Sequence, residues 1–198
     1  MFDDLVRATE IVRRFIIERG LIVYGGTAID MALRLRGDKI YPDEILAVPD
    51  LDFFSPESVT HSYELADRLY AAGFSNCRSI NAIHFTARRV DIGDGHYVAD
   101  IGYIAPEIFE RLPTLKFNGM RIIHPDFQRI DMHSALSFPY ENPPMEVALH
   151  RWRKDIKRFN QLAAKYPIKV MKPPTYEAPM ITVPILKGVL YTGWVAYA

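Results

Sequence analysis

The amino-acid sequence predicts an α/β protein of the α+β type, in which a small mixed sheet is flanked by helices. Apolar residues recur at helical spacing in two segments, residues 1–19 and 145–165. Between these helices, short apolar runs alternate with further helical segments. Asp94-Gly95 and Asn118-Gly119 are pairs typical of tight β-hairpin turns. These features together predict strands and helices around one core.

The composition is that of an ordinary globular protein. Of the 198 residues, 49% are hydrophobic and 24% are charged. No apolar run approaches the roughly 20 residues of a membrane-spanning helix, so we expect no membrane partner. The single cysteine, Cys77, excludes a disulfide within the chain and fits a reducing compartment. We therefore predict a cytoplasmic protein.

The segment 21–36 predicts a strand, a glycine turn and a helix. An apolar run, Leu21–Tyr24, precedes Gly25 and Gly26, and Thr27–Arg36 has helical apolar spacing. The first turn of a helix has unpaired N–H groups that favour an anion, and glycines let a phosphate approach closely. We predict that the glycine pair and the Thr27 hydroxyl bind phosphate groups, although such a turn is more often only a turn.

A pair of carboxylates follows in Asp50-Leu51-Asp52-Phe53. Side chains on a strand alternate between faces, so Asp50 and Asp52 point the same way. Two adjacent carboxylates repel each other, and a divalent cation such as Mg²⁺, which prefers oxygen ligands, relieves that repulsion. The pair predicts half of a metal-dependent phosphoryl- or nucleotidyl-transfer site. A solvated loop edge is the simpler interpretation of the same motif.

A third carboxylate, Asp100, lies within the apolar strand 97–104. A carboxylate in such a strand needs a partner, because burying it unpaired is unfavourable. One interpretation joins it to Asp50 and Asp52 as a third metal ligand. The other pairs it with Arg88 or Arg89 across the hairpin.

These motifs, in this order, resemble a known superfamily. A hydrophobic residue, Gly-Gly-Thr at 25–27 and Asp-hydrophobic-Asp at 50–52 are similar to the signature of DNA polymerase β-type nucleotidyltransferases. Further segments resemble the poly(A) polymerase catalytic subunits of large nucleocytoplasmic DNA viruses, over about residues 15–166. These segments are Glu64–Asp67, Ala99–Ile104 and Arg151–Lys154.

The resemblance implies a nucleotidyltransferase fold and template-independent addition of AMP from ATP to RNA 3′ ends. It implies that Asp50, Asp52 and Asp100 are catalytic and hold two Mg²⁺ or Mn²⁺ ions about 4 Å apart. The implied partners are an RNA 3′ end and a nucleoside triphosphate, with a homodimer or a processivity subunit as further candidates. If the protein is viral, its cytoplasmic location is the host cytoplasm or the virion.

Two other functions use the same motifs. A small nucleotidyltransferase that modifies protein or tRNA, as in toxin–antitoxin systems, shares Gly-Gly-Thr and Asp-x-Asp. A non-catalytic subunit with this fold is the second alternative. Such subunits commonly lose the carboxylates, and here Asp50, Asp52 and Asp100 are all present.

Charge is divided unevenly along the chain. Residues 1–110 contain 11 Lys/Arg and 18 Asp/Glu, whereas residues 111–172 contain 12 and 5. This division suits a site for metal and polyphosphate or RNA, or else reflects separate solvated faces. The basic helix 145–165 contributes half of these Lys/Arg residues, and we select Arg151 and Lys154 as nucleotide-phosphate contacts. We expect its buried stripe to contain Leu149, Trp152, Ile156, Phe159 and Ala163.

The chain divides into three predicted parts. Residues 1–166 form the catalytic domain, 167–180 a Pro-rich linker, and 181–198 the start of a second, incomplete nucleotidyltransferase-like domain. Within the first part, Ser55-Pro56 is predicted to begin a helix, with Ser55 as its cap. The loop 38–49 either folds over substrate or is passive.

Overall fold

The structure of the chain, a computed structural model, describes residues 2–43, 50–82, 86–137 and 145–167, without the side chains of 131, 133–137 and 145–151. Its helices are α1 (Phe2–Glu18), α2 (Gly25–Arg34), α3 (Ser58–Ala71), α4 (Pro106–Arg111), α5 (Pro125–Ser137) and α6 (Met145–Lys165). Its strands are β1 (Ile22–Val23), β2 (Leu51–Ser55), β3 (Arg78–Asn81), β4 (Ala87–Asp91), β5 (Tyr97–Tyr103), β6 (Thr114–Phe117) and β7 (Met120–Ile123).

The strands form a seven-stranded mixed sheet in the order β3-β4-β5-β2-β1-β7-β6. The pairs β2–β5 and β1–β7 are parallel, and the remaining neighbours are antiparallel. The predicted α/β class with a mixed sheet is therefore confirmed. The central strands β1, β2 and β5 come from three separate parts of the chain, so the sheet brings distant motifs together.

Both predicted hairpins are present. Asp94-Gly95 connects the antiparallel strands β4 and β5, and Asn118-Gly119 connects β6 and β7. Asn118 and Gly119 have φ values of 46° and 83°, as a two-residue type I′ turn requires. The turn residues thus identify the hairpins, because few other residues adopt this backbone conformation without strain.

The helices α1 and α3 pack on one face of the sheet. The Phe15 ring lies 6.5 Å from the Phe53 ring and meets His61 edge-on at 5.7 Å. Ser55 Oγ forms a 2.7 Å hydrogen bond with His61 Nδ1 and accepts one from the Glu57 N–H at 2.9 Å. The helix predicted after Ser55-Pro56 is present as α3, but it begins only at Ser58, and Ser55 is not its cap because Ser55 ends β2 and its hydroxyl contacts His61.

The helices α2 and α6 pack together on the other side. Leu162 is fully buried, and Tyr166 Oη donates a 2.7 Å hydrogen bond to the Ala32 carbonyl. Ile156, expected in the buried stripe, is 45% exposed. That expectation is wrong because the inner face of α6 is rotated to include Arg158, which periodicity of apolar residues does not reveal.

No helix among the described residues is long and apolar enough to cross a bilayer. The predicted linker, apart from Pro167, and the predicted second domain fall outside the part of the chain that the structure describes. The three-part division therefore stays a prediction.

Candidate active site

The three predicted carboxylates lie on one side of two adjacent strands. The parallel pairing of β2 with β5 sets Asp52 directly opposite Asp100, and neighbouring strands are about 4.8 Å apart. Asp50 immediately precedes β2, and its charge acts on Asp52. Leu51 and Phe53 are fully buried on the opposite face. The alternation expected from the sequence is therefore the one observed.

Crowding and burial raise the pKa of two of these carboxyl groups. Burial raises the pKa of Asp52 to about 7, with further contributions from repulsion by Asp50 and Asp100. Burial and repulsion by Asp100 raise the pKa of Asp50 to about 6. Asp50 is the more exposed of the two and Asp52 is half-buried, so screening by water leaves Asp52 the more strongly affected group. Full ionisation of the cluster is unfavourable without a nearby cation.

Arg89 supplies one such positive charge. Its Nε and Nη2 donate to the two carboxylate oxygens of Asp100, each at 2.8 Å, and its guanidinium lies 4.8 Å from the centre of the Tyr97 ring. Asp100 thus faces Asp52 and also makes the ion pair considered as its alternative. Among the described residues, no group of three Asp, Glu, His or Cys side chains is arranged so that it could hold a metal ion. The bidentate contact with Arg89 holds Asp100 in this arrangement.

The glycine turn is packed against these carboxylates. Gly25 begins α2 with φ +68°, and a Cβ there would overlap the carboxylate of Asp52, whose Cγ would be 3.0 Å away. At Gly26 a Cβ would lie 2.6 Å from Tyr41 Oη and 3.1 Å from Arg158 Nη2. A side chain at either glycine would displace these neighbouring groups, so both positions require glycine. Helix α2 begins at Gly25, two residues earlier than predicted.

Two polar side chains support the turn. Thr27 is buried, and its hydroxyl donates to the Asp50 carbonyl at 3.3 Å, so it links α2 to the carboxylate segment. Gln128, only 4% exposed, donates from Nε2 to the Gly25 carbonyl at 2.7 Å. Its Oε1 is buried with no partner among the described residues. Nothing in the local sequence marked Gln128, because its role depends on how α5 packs against α2.

The basic helix contributes a different residue from those selected. Lys154 is exposed, and the side chain of Arg151 lies outside the described residues, so their phosphate roles stay predictions. Arg158, one turn beyond Lys154, is the residue that approaches Gly26. The run of basic residues was a signal for such a contact. It did not reveal which basic side chain of α6 faces the glycine turn.

Sequence comparison links the chain to viral proteins. Residues 10–142 match the profile of the family described as "Poly(A) polymerase catalytic subunit". The putative poly(A) polymerase catalytic subunit of African swine fever virus (isolate Tick/Malawi/Lil 20-1/1983) is 45% identical over 196 residues, which is 98% of this chain and 40% of that protein. That of Acanthamoeba polyphaga mimivirus is 28% identical over 160 residues, covering 81% and 26%. The chain thus spans less than half the length of these curated relatives.

Comparison with solved structures finds the same kind of viral protein. The Megavirus polyadenylate synthase superposes with a TM-score of 0.78 and 26% identity, over 96% of this chain and 37% of that one. ANT(2")-Ia, solved with adenylyl-2"-tobramycin, shares the fold with a TM-score of 0.50 and 16% identity, over 96% and 98%. Because the family profile covers most of its length, the chain belongs to the poly(A) polymerase catalytic subunit family.

Proposed function

We propose that this chain carries the nucleotidyl-transfer site of a template-independent polynucleotide adenylyltransferase, which adds AMP from ATP to RNA 3′ ends. The observation that carries the proposal is the contact between the Asp52 carboxylate and Gly25. It sets a cluster of negative charge directly against a helix start suited to phosphate groups. Family membership supports the class of reaction.

Asp50, Asp52 and Asp100 have the oxygen donors that Mg²⁺ or Mn²⁺ prefers. Burial, and after it repulsion by Asp50 and Asp100, raises the pKa of Asp52, so a bound cation would favour its ionised form. When bound, such ions neutralise charge on the triphosphate and acidify the primer 3′-hydroxyl. Arg89 now neutralises Asp100, and the carboxylate oxygens that accept its N–H groups have further lone pairs that a cation could use.

The remaining parts of the site bind and orient substrate. The N–H groups of Gly25 and Gly26 at the start of α2 receive the phosphates. Strands β2 and β5 hold the carboxylates beside them on a rigid sheet, so alignment of the reacting groups supplies much of the acceleration. The RNA 3′-hydroxyl gives up its proton to solvent and its oxygen bonds to the α-phosphorus, while the bond from the α-phosphorus to the bridging oxygen breaks to release pyrophosphate.

The proposed partners follow from the reaction. They are an RNA 3′ end and ATP, with a second copy of the chain or a processivity subunit as further partners, in the host cytoplasm or the virion. The aromatic and basic side chains beside Asp100, Tyr97 and Arg89, support a path for the last nucleotides of the primer.

The test is extension of a labelled oligo(A) or oligo(U) primer with each nucleoside triphosphate, in Mg²⁺ or Mn²⁺, with products resolved by length. We expect a ladder of AMP additions with ATP. The Asp50→Ala/Asp52→Ala double variant should give none while its circular dichroism stays that of the wild type. Absence of any ladder from the folded wild-type chain, or transfer only to protein or tRNA, would overturn the proposal.

A further inference from the structure

The loop after α2 is held down by a buried carboxylate. Asp30 is fully buried, and its Oδ1 accepts hydrogen bonds from the N–H groups of Ile40 and Tyr41 at 2.6 and 2.8 Å. Its Oδ2 accepts from Arg34 Nε at 2.6 Å. These bonds satisfy the buried charge and fix the backbone of the loop at Tyr41. The described part of the loop, residues 38–43, places the Tyr41 hydroxyl over Gly26, and both interpretations of the whole loop stay predictions.

Helix α6 is held against the same region. Tyr166 Oη bonds to the Ala32 carbonyl of α2 at 2.7 Å, and Lys165 Nζ lies 3.8 Å from Asp38 Oδ2 in the loop. Arg158, two turns earlier on α6, is therefore carried on an element whose position is set by packing. Such support is what a precisely placed binding group requires.

Arg158 is largely buried, and two described carboxylates act on it, Asp155 at close range and Asp52 from farther away. The Arg158 side chain is 14% exposed, and its Nη1 is 3.5 Å from Asp155 Oδ1. Its Nε is buried without a partner among the described residues. Removing a guanidinium from water is unfavourable unless an anion and hydrogen-bond acceptors surround it. The described neighbours supply these only in part, so the arrangement favours an anionic ligand.

Tyr41 directs a second donor to the same point. Arg158 Nη2 donates to Tyr41 Oη, and the guanidinium lies 5.6 Å from the centre of the tyrosine ring. Because the hydroxyl oxygen accepts this bond, its own proton is available to another acceptor. Burial raises the pKa of Tyr41, so the hydroxyl keeps that proton at neutral pH.

The order of groups along the turn indicates which phosphate is bound. The Asp52 carboxylate contacts Gly25, whereas Tyr41 and Arg158 lie over Gly26, one residue further along α2. The α-phosphate must react at the carboxylates, so the phosphates beyond it extend toward Arg158. We propose that Tyr41 and Arg158 bind the terminal phosphate of the nucleoside triphosphate, and that Asp30 is the positioning residue for this pair. The inference rests on the proposed function.

The roles of Tyr41 and Arg158 are tested by calorimetric measurement of the affinities for ATP and for AMP, in Mg²⁺ and without RNA. Arg158→Gln should weaken ATP binding about 10–100-fold, as expected for lost charge-assisted hydrogen bonds, and AMP binding less than about 3-fold. Tyr41→Phe should weaken ATP binding about 3–10-fold, and the double variant should show less than the summed loss because the two groups touch. Arg153→Ala, an exposed change of the same charge on α6, should leave ATP binding within about 2-fold.

Asp30→Asn tests the positioning role. After correction for the folded fraction, its ratio of ATP to AMP affinity should fall, whereas a purely structural defect lowers both alike. Wild-type ATP affinity in Arg158→Gln, or equal losses for ATP and AMP, would overturn the inference and leave the proposed function standing. A wild-type chain that binds neither nucleotide would instead contradict the proposed function.

Discussion

Two kinds of carboxylate occur in this protein. Asp30 and Asp91 are fully buried and well supplied with donors, since Asp91 accepts from Arg78 Nη2 at 2.9 Å and from the Gly93 N–H at 3.0 Å. Asp52 is only half-buried, yet burial and repulsion by Asp50 and Asp100 outweigh the attraction of two arginines, and a glycine lies against it where Asp30 has donors. The first kind stabilises the fold. The second is held in an unfavourable environment that a cation relieves, which is expected of a site for metal and phosphate.

The largest expected effect is the loss of activity on replacing Asp52, a carboxylate of the second kind. Asp52→Asn should reduce AMP incorporation by at least about 1,000-fold, because it removes charge at the reacting centre. The same change should raise the unfolding free energy of the metal-free protein at pH 8 by roughly 1–3 kcal/mol, since repulsion is relieved. Primer extension and urea unfolding measure the two effects. A variant that is both inactive and less stable would contradict the comparison.

Gly25→Ala should be the next most damaging change. The added Cβ would meet the Asp52 carboxylate and would require a backbone with φ +68°, so we expect activity to fall about 100-fold through displacement of the site. Gly37→Ala is the matched control. Gly37 also has a positive φ, +71°, but a Cβ there has open space, so its change should cost about 1 kcal/mol of stability and leave primer extension near wild type. Equal losses of activity in Gly25→Ala and Gly37→Ala would show that the contact between Gly25 and Asp52 does not matter for activity.

Asp30→Asn should chiefly affect stability. It breaks a buried contact with Arg34 and weakens two backbone hydrogen bonds, so the unfolding free energy should fall by about 2–4 kcal/mol. Denaturant unfolding of this variant beside Asp52→Asn should thus give shifts of opposite sign. Shifts of the same sign would show that the two kinds of carboxylate do not differ.

The smallest effect is on pH dependence. The folded-state pKa of Asp52 is raised from 3.8 to about 7, so between these values the folded state binds more protons than the unfolded state. The unfolding free energy of the metal-free protein should therefore fall as pH rises through this window. The difference between wild type and Asp52→Asn, measured at several pH values, isolates this contribution. A difference that does not change with pH would contradict it.

Local sequence rules predicted the parts of the site that neighbours in the chain determine. Strand alternation placed Asp50 and Asp52 on one face. The hairpin residues offered Arg88 or Arg89 as an alternative partner for Asp100, and Arg89 makes that contact across β4 and β5. Tyr41, Gln128 and Arg158 could not be assigned in this way. Each reaches the turn only because a distant loop or helix packs against α2, and no periodicity in the sequence records that packing.

Whether the three carboxylates form a cation site is measured by titration of the chain with Mn²⁺, with the free ion monitored by electron paramagnetic resonance. We expect the wild type to bind Mn²⁺, and Asp52→Asn and Asp100→Asn each to weaken binding at least about tenfold. The exposed control Asp67→Asn should bind as the wild type does. Wild-type Mn²⁺ affinity in Asp52→Asn and Asp100→Asn would contradict a cation site formed by these carboxylates.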